Sequence, residues 1–363
     1  MSLPIARKYR PMKLSQVVGQ PTTCRMLQNS IILNREIKAM LLTGIRGTGK
    51  TTLARIYAAA LNCPSFADNS DVCGVCPSCL EAKNGTHPDI IEYDAASNNG
   101  VDFIRDLNDL IGQIPSYSRR IIIFDEAHMF SKQAQAALLK ILEEPPKQLT
   151  FILVTTDPDK LEDTIRSRCL SMPLKAISGK DLELSISGIL EQEGKQYTED
   201  FVSTLSLTGG GSLRDVQQIL DQCILAAGDG IVDSSYLEDA VGVVSVRQYR
   251  AMAPVFCSLD IKKGIEAIER WYNEGYDLDI LYRDGVPNLL RDFMVVLSGA
   301  YSDQITLLSG IPADVIRKRL TLSYEQVKLV SGQWESLLEL MGGTHHPKII
   351  WSMFMINICA NKE

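Results

Sequence analysis

The sequence contains no apolar run approaching the ~20 residues that a membrane-crossing helix needs, so no helical span is expected. Its start, MSLPIARKYRPMKL, carries basic residues with no apolar stretch behind them, which predicts no secretory signal and a place inside the cell. Positive charge is not in excess either. Lysine and arginine number 37 against 44 acidic residues, a net charge of -7, so diffuse attraction to nucleic acid is not expected. Any DNA contact would have to come from a local patch or from helix N-termini. Internal repeats, low-complexity segments and a disordered tail are also missing. What is present, 45% hydrophobic and 22% charged residues over 363 positions, predicts a soluble chain with real cores and two or three domains.

The first ~175 residues alternate short apolar runs with helix-period segments, the pattern of a parallel α/β sheet. Strands are expected at Ala39–Thr43, Asp89–Tyr93, Arg120–Phe124, Thr150–Val154 and Cys169–Met172. Helices are expected near Thr22–Asn34 and at Lys50–Leu61, Val101–Ile111, Lys132–Leu142 and Asp159–Ser167. After Pro173 only helical periodicity remains, broken by Gly194, by Gly209-Gly210-Gly211 and by Gly228-Asp229-Gly230. A second helical region runs from about Val246 to the end, with Trp271, Trp334 and Trp351 available as core.

Between an apolar strand (Met40-Leu41-Leu42) and a helix stands Gly44-Ile45-Arg46-Gly47-Thr48-Gly49-Lys50-Thr51, followed by Thr52. This is the GxxxxGK[ST] phosphate loop in the context the motif requires. The glycines let successive N–H groups turn toward phosphates, Lys50 supplies a point charge, and the Thr51 hydroxyl suits Mg²⁺. A glycine-rich turn with a chance lysine is the plain alternative, and the flanking strand and helix argue against it. About 70 residues later Ile121-Ile122-Ile123-Phe124 leads into Asp125-Glu126. A buried strand delivering Asp125 to the Mg²⁺ shell and Glu126 to an attacking water accounts for that order. Asp125-Glu126-Ala127-His128 also spells a helicase box, but that would need a second nucleotide-binding core where the sequence after Pro173 is helical.

Nine cysteines are unevenly placed. Cys24, Cys169, Cys223, Cys257 and Cys359 lie in apolar stretches and read as small hydrophobes. Cys63, Cys73, Cys76 and Cys79 form C-x₉-C-x₂-C-x₂-C, which can wrap a tetrahedral thiolate site. Zinc in a structural role suits four thiolates without histidine; an iron–sulfur cluster is the rival.

Three further features narrow the class: Thr155-Thr156 at the end of an apolar strand, Ser167-Arg168-Cys169 at a helix-to-strand step, and Gly211-Ser212-Leu213-Arg214-Asp215 opening a later helix. With ARKYRP at 6–11, VVGQ at 17–20, DAASNNGVDFIRD at 94–106, LLKILEEPP at 138–146 and TTDPDKL at 155–161, the set resembles the AAA+ clamp-loader ATPases. Within them it is most similar to the gamma/tau subunits of bacterial DNA polymerase III, densely from residue 5 to about 230.

The resemblance implies an AAA+ P-loop domain with a parallel five-stranded sheet and zinc module at 1–176. A small helical lid would follow at 177–240, and an all-helical, collar-like oligomerisation domain at 241–363. It implies ATP and Mg²⁺ at Gly44–Thr52, with Lys50, Asp125 and Glu126 in the chemistry. Thr156 would read the γ-phosphate, Thr155 being the neighbour less suited to it. Arg168 would reach the ATP of an adjacent subunit, and Arg214 would contact the γ-phosphate in its own chain. Tyr9, Arg10, Pro11, Val17 and Val18 match the segment around the adenine, although ordinary core packing explains Val17 and Val18 as well. Asn98, Asn99 and Arg105 fall in the region that would face DNA.

Implied partners are other clamp-loader subunits (further copies and delta- or delta-prime-like chains), a sliding clamp and primer–template DNA, with no membrane. The implied setting is the cytoplasm of a bacterial cell, the gene being bacterial or phage-borne. Ending at Glu363, the chain is expected to lack the extension of the longer tau form. The leading expectation is an ATP-driven subunit that helps open and load a sliding clamp. The alternative is a non-motor scaffold resembling delta-prime, or another AAA+ DNA-processing ATPase.

Overall fold

The computed structural model describes residues 3–35, 37–100, 103–104, 107, 110–237, 244, 246–258, 260–299, 313–320, 322–341 and 346–360. Val101, Arg105 and the 240/241 boundary lie outside these. The chain divides into two units, one of residues 1–196 and 205–222, the other of 197–204 and 223–363.

The first unit is built on five parallel strands: β1 (Ala39–Thr43), β2 (Ile90–Asp94), β3 (Arg120–Asp125), β4 (Leu149–Thr155) and β5 (Leu170–Pro173), ordered β2-β3-β4-β1-β5. All four pairings are parallel. The three central strands β1, β3 and β4 are almost wholly buried, whereas the edges β2 and β5 are partly exposed. Because side chains alternate across a strand, each central strand feeds two cores. Met40, Leu42, Ile121, Ile123, Ile152 and Val154 pack on one face with Leu53, Ile56 and Tyr57 of the helix Lys50–Leu61. Leu41, Ile122, Phe124, Phe151 and Leu153 pack on the other with Ala134 and Leu138 of the helix Lys132–Glu143. Near-continuous apolar runs are what a sheet covered on both sides demands.

Each strand expected from the sequence is present within a residue of its expected ends. One helix differs. The stretch expected to be helical over Asp159–Ser167 is a 3₁₀ turn, Pro158–Lys160, and a separate helix, Asp163–Arg166. Leu161 and Glu162 are extended between them (ψ 139° and 142°), because Leu161 turns inward and is buried in the second core. Four of the five scattered cysteines are buried, as their apolar setting predicts, and Cys359 is half-buried.

At the foot of β3 lies a buried ion pair. Arg120 Nη2 donates to Asp89 Oδ1 at 3.1 Å, with Asp89 fully buried, and Asp89 also accepts the Tyr117 N–H at 2.7 Å. The same guanidinium donates to the carbonyls of Leu110 and Gln113, tying the 110–118 loop to the sheet.

The second unit is helical throughout its described part apart from one isolated bridge between Tyr197 and Val232. Its core gathers Trp271, Trp351, Tyr282, Phe256, Phe293 and Phe354 from the helices Val246–Ser258, Ile261–Asn273, Val286–Ser298 and Pro347–Ala360 and the turn Leu281–Gly285. Two of the three tryptophans are buried to 1% or less, and both indole N–H groups at 334 and 351 find carbonyls, Tyr282 O and Leu278 O. Among the described residues no helix is long and apolar enough to cross a membrane.

Replacing Asp89 with alanine strands the Arg120 guanidinium without its counter-charge. The expected cost is about 3–5 kcal/mol of stability, read as a lowered urea midpoint; a loss below ~1 kcal/mol would show the pair to be dispensable.

Candidate nucleotide site and cysteine cluster

In a parallel α/β sheet, ligands gather at the C-terminal ends of the strands. Here β3, β4 and β1 are neighbours, so their ends deliver Asp125, Thr156 and the phosphate loop to one place. A cavity of about 500 Å³ lies there, lined by Arg46 to Thr52, Asp125, Glu126 and Thr156. Arg10, Pro11, Val17 and Val18 line it as well, as does Arg214.

The loop needs its glycines for space as well as for turning. Gly44 (φ 137°) passes so close to Leu174 that a Cβ would lie 2.5 Å from its carbonyl oxygen. At Gly47 (φ 79°) a Cβ would come 1.9 Å from Ser212 Oγ and 3.2 Å from the Arg214 Cβ. The start of the helix Leu213–Ala227 therefore sits directly on the loop, which places Arg214 at the pocket. Lys50 is buried and donates to the carbonyls of Gly44 and Ile45 at 2.9 and 2.8 Å. Burial lowers its pKa, while Glu126 and Asp125 act in the opposite direction. Thr51 Oγ1 donates to Asp125 Oδ2 at 3.0 Å, the pairing expected of two groups that share a cation's coordination shell.

Glu126 has φ 50° and ψ 44°, a left-handed conformation that is uncommon outside glycine and Asn/Asp. Its N–H is satisfied by Asp125 Oδ1 at 3.0 Å. Such strain concentrates at functional positions. Thr156 is exposed to the pocket with Oγ1 3.5 Å from Glu126 Oε2, while Thr155 is fully buried.

Where Arg10, Pro11, Val17 and Val18 line the cavity, Arg10 is pushed below arginine's ordinary value by burial and then by the guanidinium of Arg55, with Arg214 and Arg7 adding to it. Val17 is half-buried, packs on the first core and also lines the pocket. Tyr9 does not line the pocket: its hydroxyl donates to Glu193 at 2.7 Å, beside the Lys8–Glu193 ion pair. Gly44 and Ile45 enter through backbone only, as partners of Lys50.

Arg168 lies away from this pocket, with its guanidinium on Glu143 Oε1 (2.8 Å) and the Thr164 carbonyl (2.9 Å). The Asn98 side chain donates to the nearby Asp94 carbonyl, and the Asn99 carbonyl accepts the N–H of Ser131 at the cap of the helix Lys132–Glu143.

Sequence reading missed several lining residues. Arg55 is held by a two-point pair with Glu92 of β2 at 2.6 and 2.7 Å. Gln217, Gln218 and Asp221 continue the face begun by Arg214. Their i, i+3, i+4, i+7 spacing was the available signal.

The four clustered cysteines do meet. Their sulfurs lie within 4.8 Å of one another, and the Cys73 and Cys79 sulfurs are 3.8 Å apart. Tetrahedral zinc with Zn–S of about 2.3 Å sets S–S edges near 3.8 Å. The N–H groups of Cys76 and Cys79 point at Cys73 Sγ and Cys76 Sγ, both at 3.4 Å, which favours thiolates. Backbone N–H groups, that of Val75 first, bring the Cys73 thiol down to about 6, whereas burial pushes the thiols of Cys63 and Cys79 up. The donor set and spacing fit zinc.

A phosphate loop on β1, an acidic β3 end and a helix carrying Arg214 over the loop, on a 2-3-4-1-5 parallel sheet, define an AAA+ nucleotide-binding protein. A family model described as "DNA polymerase III, delta subunit" matches residues 19–178. DNA polymerase III subunit gamma of Buchnera aphidicola subsp. Baizongia pistaciae is 38% identical over 71% of this chain and 70% of that protein. DNA polymerase III subunit tau of Bacillus subtilis is 33% identical over 98% of this chain and 63% of that protein. A solved structure titled Thermotoga maritima RuvB Holliday junction branch migration motor aligns with TM-score 0.49 at 15% identity, covering 74% of this chain and 86% of that one. The chain belongs to the DNA polymerase III gamma/tau family. It spans 63% of the length of the Bacillus relative and 46% of the Escherichia coli tau subunit.

Purified protein is expected to carry about one zinc per chain by elemental analysis. Cys76→Ser should lower the melting temperature by several degrees while ATP affinity stays within about twofold. A metal-free protein of full stability would contradict the assignment.

Proposed function

We propose that this chain is an ATP-hydrolysing clamp-loader subunit that helps open a sliding clamp and place it on primed DNA. The observation that carries the reading is the convergence of the phosphate loop, Asp125, Glu126, Thr156 and Arg214 on one cavity in a chain of the gamma/tau family.

Placement supports the following roles. N–H groups of Gly47–Thr51 and the Lys50 ammonium hold the β- and γ-phosphates. The Thr51 hydroxyl and Asp125 hold Mg²⁺, which supplies charge neutralisation on the phosphates. Glu126 takes the proton of the attacking water, Thr156 orients the γ-phosphate, and Arg214 binds it from the helix seated on Gly47. Arg10, Pro11, Val17 and Val18 enclose the adenine. Tyr9 acts one step back, fixing the segment to Glu193. Arg168, which is outside the pocket of its own chain, is assigned to the ATP of an adjacent subunit. Residues 177–240 are the lid and 241–363 the oligomerising collar. Cys63, Cys73, Cys76 and Cys79 hold structural zinc. Partners would be further copies and delta- or delta-prime-like chains, the clamp and primer–template DNA, in a bacterial cytoplasm.

A second reading, a non-motor scaffold, draws support from the family model's description as a delta subunit. The complete phosphate loop and the Thr51–Asp125 pair favour the motor.

Lys50→Ala should abolish ATP binding. In the assembled complex, primed DNA and clamp together should stimulate hydrolysis strongly, and Arg168→Ala should lower the stimulated rate by ~10³-fold or more while sparing ATP binding. Stimulated turnover unchanged by Arg168→Ala removes the cross-subunit role. ATP binding without any hydrolysis selects the scaffold.

A further inference from the structure

Immediately after β3, the turn Ala127–Met129 carries His128, whose side chain is 12% exposed. Its Nδ1 lies 3.0 Å from Thr155 Oγ1 and 3.4 Å from Glu126 Oε2. Thr155 is the last residue of β4, and its hydroxyl oxygen also accepts the Asp157 N–H at 3.0 Å. A carboxylate can only accept, so the nitrogen facing Glu126 must carry a proton for the contact to attract. The hydrogen bond of Nδ1 is with Thr155, and the carboxylate stands beside the same nitrogen at 3.4 Å, a polar contact without an aligned hydrogen bond.

We infer that His128 is a positioning residue for hydrolysis: it anchors on buried Thr155 and holds the Glu126 carboxylate at the end of the strand that presents Thr156. This rests on the reading of Glu126 as the base. Glu126 needs such a hold. Its side chain is 45% exposed, and its left-handed backbone fixes where the chain starts but leaves the carboxylate several rotamers. Thr156 Oγ1 approaches the same oxygen, Oε2, at 3.5 Å. The base is therefore referenced through His128 and Thr156 to β4, and a shift of that strand's end as phosphate binds would move the carboxylate with it. Holding a reacting group within a fraction of an ångström raises kcat without altering substrate affinity.

Single-turnover hydrolysis in the assembled complex with primed DNA and clamp, and ATP titration of the chain, both with Mg²⁺, test this. His128→Ala should slow hydrolysis by about fivefold to tenfold, the range for losing an ordinary hydrogen-bonded polar contact, with ATP affinity within about twofold. His128→Asn, whose amide nitrogen falls near Nδ1, should restore the rate to within about threefold of wild type. His128→Gln, whose nitrogen falls near Nε2 instead, should stay slow. Thr155→Val combined with His128→Ala should be no slower than His128→Ala alone, because the two act as one unit.

Wild-type rates in His128→Ala or His128→Gln, or an asparagine variant no faster than the alanine one, overturn the inference. Glu126→Gln in the same assay separates the two readings. If it abolishes turnover while His128→Ala does not slow it, the positioning role alone falls. If Glu126→Gln itself turns over normally, the base assignment falls first.

Discussion

The hydroxyl of Thr51 and the carboxylate of Asp125 meet at 3.0 Å across a gap that β4 occupies in the sheet. Around that contact the phosphate loop, the first turn of the helix Lys50–Leu61 and the end of β3 keep a fixed spacing. The constraint is a geometric one. Parallel strands in register end at the same height, so three neighbouring strands can offer a loop, an acid and a threonine to one small volume. Two cores, one on each face, keep the strands from sliding, and a one-residue slip would turn Asp125 from the pocket into apolar packing.

The second constraint is steric. Gly47 has room for a hydrogen and no more, because Ser212 lies against it. The helix that begins there has Arg214, Gln217, Gln218 and Asp221 along the cavity. Whatever occupies the phosphate loop is therefore felt by that helix without an intervening layer, and the segment at 7–11 is linked to residue 193 through Lys8 and Tyr9.

Much of this was legible in the sequence because it is local. A phosphate loop is eight consecutive residues, Ile121–Asp125 announces its strand by composition, and the four cysteines declare themselves by spacing. The bounds of all five strands follow from apolar runs. What depended on register across strands was not legible. Arg55 and Glu92 lie 37 positions apart and meet only because β2 is the sheet edge next to β3. His128 and Thr155 meet because β3 and β4 are neighbours. The helix expected over Asp159–Ser167 is broken where Leu161 turns inward to be buried, in a segment whose aspartates, Thr164 and Ser167 are themselves weak helix formers. Tyr9 matched a motif by letter, yet its hydroxyl is committed to Glu193.

The backbone of Glu126 has a wider consequence. A glycine in that conformation would relieve roughly 1–3 kcal/mol of strain, so the fold taken alone favours losing the side chain. On the proposed reading, that same loss removes the water-activating group. Selection for heat resistance and selection for turnover then pull in opposite directions at a single codon. A library screened only for survival at high temperature would be expected to accumulate replacements there, yielding sturdier proteins that bind nucleotide and never let it go.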